Sequence, residues 1–151
     1  MPVDTKDLHT IADKLINDKQ FTEPMFKVVN VAADNMLNHI KKEAPYKTGK
    51  LANATTTTVT NDLDVTFTTS LQKAPYANFV YNGTKAHEIS VGKGRVLSFI
   101  SGGVPIFTKH VKIPAIPANP YIIKPWDKYK HEFTETLEIG AEITIQKELQ
   151  L

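Results

Sequence analysis

Three residues in the middle of the chain, His87, Glu88 and His110, have side chains able to bind a metal or move a proton. His87 and Glu88 are neighbours in "YNGTKAHEI". Adjacent residues on a strand point to opposite faces, so these two do not converge. A zinc hydrolase of the helical type needs His at i and i+4 around the Glu, and the chain has no such spacing. His110 approaches His87 only if the two flanking segments pair. The three residue types thus supply half of a metal or acid–base site for a small hydrolase. The plainer reading is a set of polar residues on a solvated strand face. His9, His39 and His131 fall within helical patterns, each alone, and read as surface residues.

Other chemistry is less supported. Ser70, Ser90, Ser98 and Ser101 lack a G-x-S-x-G elbow, so no serine nucleophile is indicated. "GKGR" at 92–95 resembles a phosphate loop only superficially. It lacks the G-x-x-x-x-G-K-[ST] spacing and a strand-to-helix setting. The chain has no cysteine, which excludes disulfides, thiolate metal sites and a Cys nucleophile. No catalytic residue, metal or cofactor is expected, and the chain is not read as an enzyme.

Charge is more informative by position than in total. The net charge is only +2 over 151 residues. From Lys85 to Lys112 five basic residues (Lys85, Lys93, Arg95, Lys109, Lys112) face Glu88 alone, a local +4. From Glu132 onward five glutamates, among them Glu135, Glu138 and Glu142, face only Lys147, a local −4. A basic middle and an acidic tail can complement each other within or between subunits. Phe99 and Phe107 lie in the basic stretch. Basic and aromatic residues on a sheet form a nucleic-acid signature, though the alternation with polar neighbours points these rings inward. A nucleic-acid-binding module built on 85–112 is the alternative reading.

The elements that must position these residues follow from periodicity. Leu8, Ile11, Ala12 and Leu15, with Asp4 as cap, suggest a helix over 4–18. A second helix is expected with Thr22 as N-cap, Pro24 in its first turn and an apolar stripe of Phe26, Val29, Ala33, Met36, Leu37 and Ile40. It should end at Ala44, because Pro45 drives its predecessor out of the α region. "APYKTGKL" is a turn with Gly49 at its tip. "LANATTTTVTNDLDVTFTTS" reads as a hairpin turning at Asn61–Asp62. Tyr76, Phe79 and Val80 share one face of a short helix stopped by Asn82–Gly83. "RVLSFI" and "VPIFTKHVKI" form a second hairpin across Gly102–Gly103. The prolines at 114, 117 and 120 mark an extended connector. A long helix runs from about Pro125 to Leu149, with a strand over 141–149 as the alternative ending. Gly140 within it signals a kink or close packing.

These elements describe an α+β fold, with N-terminal helices and a long C-terminal helix packed on an antiparallel β-sheet bearing an extended basic hairpin loop. One domain over 1–151 is expected, with 1–20 as an N-terminal helical addition and 85–112 as a protruding hairpin. Tyr76, Phe79, Phe99, Phe107, Tyr121 and Trp126 are the expected aromatic core. The first residues lack the charged and apolar regions of a signal peptide, which favours intracellular synthesis. No run reaches the length of a membrane span.

The order of the pieces resembles the gene-product-10-like family of HK-type tailed phages, the tail-completion or head–tail joining proteins. The matching positions are Ala44, Pro45, Thr48, Gly49 and Leu51; then Tyr76, Ala77, Tyr81, Gly83 and Thr84; then His87, Leu97, Phe99, Pro114, Pro120 and Tyr121. They cover roughly residues 25 to 140. Ala115 stands where that family commonly has a small residue, often Gly, and Tyr121 where it often has Phe. The resemblance implies a virion structural protein that assembles in the host cytoplasm. It would form a ring, a homo-hexamer, in the neck between connector or stopper protein and the tail tube or tail terminator. DNA would pass through its channel. Lys85, His87, Lys93, Arg95, Lys109 and Lys112 would then meet neighbours, with Glu135, Glu138 and Glu142 as acidic counterparts. Gly49, Gly83, Gly102 and Gly103 would set backbone turns.

Overall fold

A computed structural model describes residues 18–148. The helix expected over 4–18, with His9 on it, lies outside them except for Asp18. The elements in chain order are α1 (Lys19–Glu43), α2 (Lys50–Ala54), β1 (Thr55–Val59), β2 (Val65–Thr69), α3 (Ala77–Asn82), β3 (His87–Ser90), β4 (Leu97–Ser101), β5 (Val104–Thr108), β6 (His110–Ile113) and α4 (Ile123–Glu148). The fold is α+β, but its strands do not join into one sheet. They form three two-stranded antiparallel ribbons, β1–β2, β3–β6 and β4–β5. Each strand is only four or five residues long and has one partner. The chain divides into two compact units. Among the described residues, one contains those up to Pro75 together with Tyr121 to Glu148; the other is Tyr76–Pro120.

In the first unit α1 begins earlier than Pro24 suggested. The Asp18 carboxylate accepts from the Gln20 amide at 2.9 Å, and the Phe21 and Thr22 amides bond to the Asp18 carbonyl. This satisfies the orphan donors of the first turn. Thr22 is therefore not the cap, and Pro24 lies inside the helix. The C-terminus falls where Pro45 requires it: Ala44 is extended (ψ 133°), and its amide still bonds to the Ile40 carbonyl. Met25, Val29, Ala32, Ala33, Met36 and Ile40 are buried along one stripe. Each of the larger ones contributes roughly 1.5–3 kcal/mol.

Helix α4 packs along α1 and continues through 140–148, so the strand alternative is excluded. Its inner face mixes half-buried aromatics, Tyr129 and Phe133, with small residues toward the C-terminal end. Pro125 and Thr144 are buried, Gly140 is partly covered, and Trp126 lies at the surface, where its ring meets Phe133 edge-on at 5.3 Å. Gly140 marks a close helix crossing. A Cβ built on it would overlap Val28 Cγ1 and stand 2.7 Å from Val28 Cγ2.

The Thr-rich hairpin packs on α1 with odd positions inward. Thr55, Thr57, Val59, Val65, Phe67 and Thr69 are buried or half-buried, while Thr56, Thr58, Thr66 and Thr68 are exposed. Five residues, 60–64, join its strands; the Thr60 amide bonds to the Asp64 carbonyl, and the positive φ falls on Leu63 (64°), one residue past Asn61–Asp62. A hydroxyl chain then ties hairpin to helix. Thr55 Oγ1 donates to the Leu51 carbonyl at 3.0 Å. It must therefore accept from Thr69 Oγ1 at 2.9 Å, which in turn accepts from the Tyr121 hydroxyl at 2.8 Å. Each hydroxyl has one proton, so the direction of the chain is set by the carbonyl. Thr57 differs: its Oγ1 is buried with no hydrogen-bond partner among the described residues.

Opposite signs follow for two threonines in one run. Thr55→Val leaves Leu51 and Thr69 short of a partner and should cost about 1–3 kcal/mol. Thr57→Val removes an unsatisfied hydroxyl and favours the strand, and should stabilise by about 1 kcal/mol. Equilibrium denaturation of the two variants reads this directly. Shifts of the same sign would overturn the assignment.

Candidate interaction surface

The second unit starts with α3. Tyr76 precedes it, and the Phe79 and Val80 amides both bond to the Tyr76 carbonyl. Gly83 ends it at φ 72°, ψ 178°. Thr84 and Ile116 then exchange both backbone hydrogen bonds at 2.9 Å, and the Asn119 amide bonds to the Val80 carbonyl. The proline-rich connector thus folds back over the end of α3, directly against Gly83.

From there two strands run as one ribbon with a break. His87–Ile113, Glu88–Lys112, Ile89–Val111 and Ser90–His110 are opposite each other, and the Val91 amide bonds to the Lys109 carbonyl. The next pair is Leu97–Thr108. Residues 92–96 are therefore looped out of one strand, while the other passes through Lys109 without insertion. Thr108 Oγ1 bonds to the His110 carbonyl and accepts from the His110 amide, which separates β5 from β6. "VPIFTKHVKI" is thus two strands with different partners. Segment 85–112 is a paired ribbon with a five-residue excursion holding Lys93 and Arg95.

This register decides the His–Glu question. His110 lies opposite Ser90, diagonal to Glu88, and its Nδ1 is 2.9 Å from the Glu88 carboxylate. His87 is on the other face, its Nδ1 donating to the Lys85 carbonyl at 3.0 Å. The three candidates are split two and one. Among the described residues no three His, Cys, Asp or Glu side chains are grouped to hold a metal ion.

The aromatic core expected in this unit is at the surface instead. Tyr76, Phe79, Phe99 and Phe107 are all exposed, and of the six expected core aromatics only Tyr121 is buried. Cross-strand pairs explain why. Ser98–Phe107 and Ile100–Pro105 make one face of β4–β5; Leu97–Thr108, Phe99–Ile106 and Ser101–Val104 make the other. A two-stranded ribbon has two faces and no layer of its own to cover either. Ile100 is 77% exposed, Phe107 66% and Val104 61%. Ala77 is the one residue between 76 and 120 that is fully buried. Alternation places side chains on faces, but it does not supply a second layer.

Lys85, Lys93, Arg95, Lys109 and Lys112 are exposed, with Lys112 across from Glu88. Gly102 (φ 60°) and Gly103 (φ 82°) form the tight turn between β4 and β5, and Gly49 (φ 71°) precedes α2. Glu135, Glu138 and Glu142 are exposed on α4 in the first unit. His131 is exposed there too. His39, read from sequence as isolated, is not: its ring stacks on Tyr129 at 3.7 Å and its Nε2 is 3.3 Å from Glu132. The crevice around it holds only about 10 Å³, so His39 joins α1 to α4 rather than lining a ligand site.

No family model, curated protein or solved structure matches this chain. No helix among the described residues is long and apolar enough to cross a membrane. The surface geometry is therefore the guide to function. Its main feature is an apolar ribbon, largely exposed on the face of Ile100 and Phe107 and partly covered at Leu97 and Thr108, in a segment whose basic side chains are also exposed.

Proposed function

We propose that the chain is a structural virion protein of a tailed phage, a tail-completion or head–tail joining protein without enzymatic activity. Assembled in the host cytoplasm, it forms a ring in the neck, between connector and tail tube, with DNA passing through. The observation that supports this reading is the uncovered β4–β5 ribbon. Isolated hairpins are marginal in water, and exposed contiguous apolar surface marks sites covered by partners. Rings use heterologous contacts that close by rotation, and bare ribbons in every copy suit that purpose. The resemblance in motif order from Ala44 to Tyr121 supplies the place in the particle.

The test uses infected cells. Deletion of 92–104, and separately the double substitution Ile100→Asp/Phe107→Asp, should leave heads and tails unjoined by electron microscopy. The substituted side chains are exposed, so that variant should keep its circular dichroism and melting curve. Joined, infectious particles from both variants would remove the reading.

A second reading gains from the same exposure. Phe99 and Phe107, on opposite faces of the ribbon, are each exposed for stacking, and Lys93, Arg95 and Lys109 are exposed in the same segment, the residue types of single-strand binding surfaces. Such binding would weaken steeply with salt. Absence of binding to single-stranded and duplex oligonucleotides at low salt would exclude it.

A further inference from the structure

The ribbon is not the sole uncovered apolar surface. On α4, Ile139 and Ile143 are four residues apart and both exposed. Glu135, Glu138 and Glu142 run beside them at i, i+3 and i+7, so one helix face carries an isoleucine stripe next to an acidic one. The ribbon has the complementary pattern. Ile100 and Phe107 share a face, Lys109 follows two residues after Phe107, and Lys93 and Arg95 stand on the looped-out segment.

We propose that β4–β5 of one copy docks on α4 of a second copy, with Ile100 and Phe107 over Ile139 and Ile143. Lys93, Arg95 and Lys109 then face Glu135, Glu138 and Glu142. This rests on the assembly reading above and names its interface. An open groove of about 390 Å³ adjoins Ile143, lined by Lys27 and Val28 of α1 and Gly140, Thr144 and Lys147 of α4. Its two lysines disfavour a basic visitor, so the Phe107 ring enters on that side and the basic loop lies over the glutamates. Edge-to-edge strand pairing is a poorer use of the ribbon, because Pro105 removes a donor from β5. The contact joins two different surfaces, so repetition propagates until a ring closes. One face of a five-residue hairpin falls well short of the ~1,200 Å² of a stable interface. A single contact is therefore weak, and closure of the ring supplies persistence.

The chain contains no cysteine, which makes a covalent trap clean. Full-length Phe107→Cys and Ile143→Cys proteins, mixed at millimolar concentration and oxidised, should give the mixed dimer. Its yield should lie well above the two-to-one excess over each self-paired dimer that random collision gives. Glu135→Lys/Glu142→Lys added to the Ile143→Cys protein should lower that yield several-fold, and Lys93→Glu/Arg95→Glu added to the Phe107→Cys protein should restore it. No mixed dimer, or a random ratio, overturns the interface. If the ribbon variants still leave heads and tails unjoined, that result overturns this contact while the assembly reading stands. Suppression of the crosslink by a single-stranded oligonucleotide, with a random ratio in its absence, would also overturn it and assign the ribbon to nucleic acid.

Discussion

Gly83→Ala is expected to unfold the second unit while leaving the first intact. Two costs coincide there. At φ 72° and ψ 178° the backbone occupies a region open essentially to glycine alone. A Cβ would also stand 2.5 Å from the Ile116 carbonyl oxygen, 2.7 Å from the Ala118 nitrogen and 3.0 Å from the Pro117 carbonyl carbon. All three are backbone atoms, so no rotamer change relieves the overlap. The connector must lift away, and the paired Thr84–Ile116 hydrogen bonds break with it. The loss should be on the order of 3 kcal/mol or more. Hydrogen exchange reads it locally: the Thr84 and Ile116 amides should lose protection while those of Thr55–Thr69 keep theirs. Gly102→Ala is the control. Gly102 also has positive φ, but nothing lies within 4 Å of its would-be Cβ, so about 1–2 kcal/mol is expected. Equal losses at the two positions would mean that the connector does not hold Gly83 this closely. Because Gly83 anchors the root of the ribbon, the variant should also lose whatever the ribbon does.

Gly140→Ala should destabilise the first unit in the native background and stabilise it when Val28 is also Ala. Within a helix, alanine is favoured over glycine by about 1 kcal/mol. Here the new methyl overlaps the Val28 side chain across the α1–α4 crossing, and overpacking of this kind costs about 1–3 kcal/mol. Val28 is β-branched and has few rotamers to escape into, so the clash is expected to win by about 1 kcal/mol. Val28→Ala removes both Cγ atoms and leaves only its Cβ at 3.0 Å, a contact that a small shift of the helices relieves, so most of the propensity gain returns. A double-mutant cycle by chemical denaturation isolates that coupling. Stabilisation by Gly140→Ala alone would show that the helices separate freely, and the close crossing would not be a constraint.

These two glycines show how unevenly the fold can be read from the chain. Gly140 stands out in a helical pattern, and the pattern itself signals close packing; which residue it packs on belongs to the α1–α4 crossing. Gly83 reads as a helix stop. Its harder constraint comes from Ile116–Ala118, more than thirty residues later, which no local signal reveals.

By itself the sequence determined what depends on neighbours in the chain. Pro45 ended α1 at Ala44 because of a local steric rule. Four consecutive threonines and the alternation across Val65 and Phe67 made the β1–β2 hairpin, and Gly102–Gly103 made the turn of β4–β5. Adjacency on a strand separated His87 from Glu88. Tertiary structure decided what depends on distant partners. The register of β3 with β6 joined His110 to Glu88 and left His87 apart. The crossing of α1 and α4 drew His39 onto Tyr129. Phe99 and Phe107 alternate as core residues do, yet alternation fixes only a face. Whether a face is buried depends on a second layer, and among the described residues Phe99 and Phe107 remain exposed. The strongest pointer to function is therefore a core pattern that the described residues leave exposed.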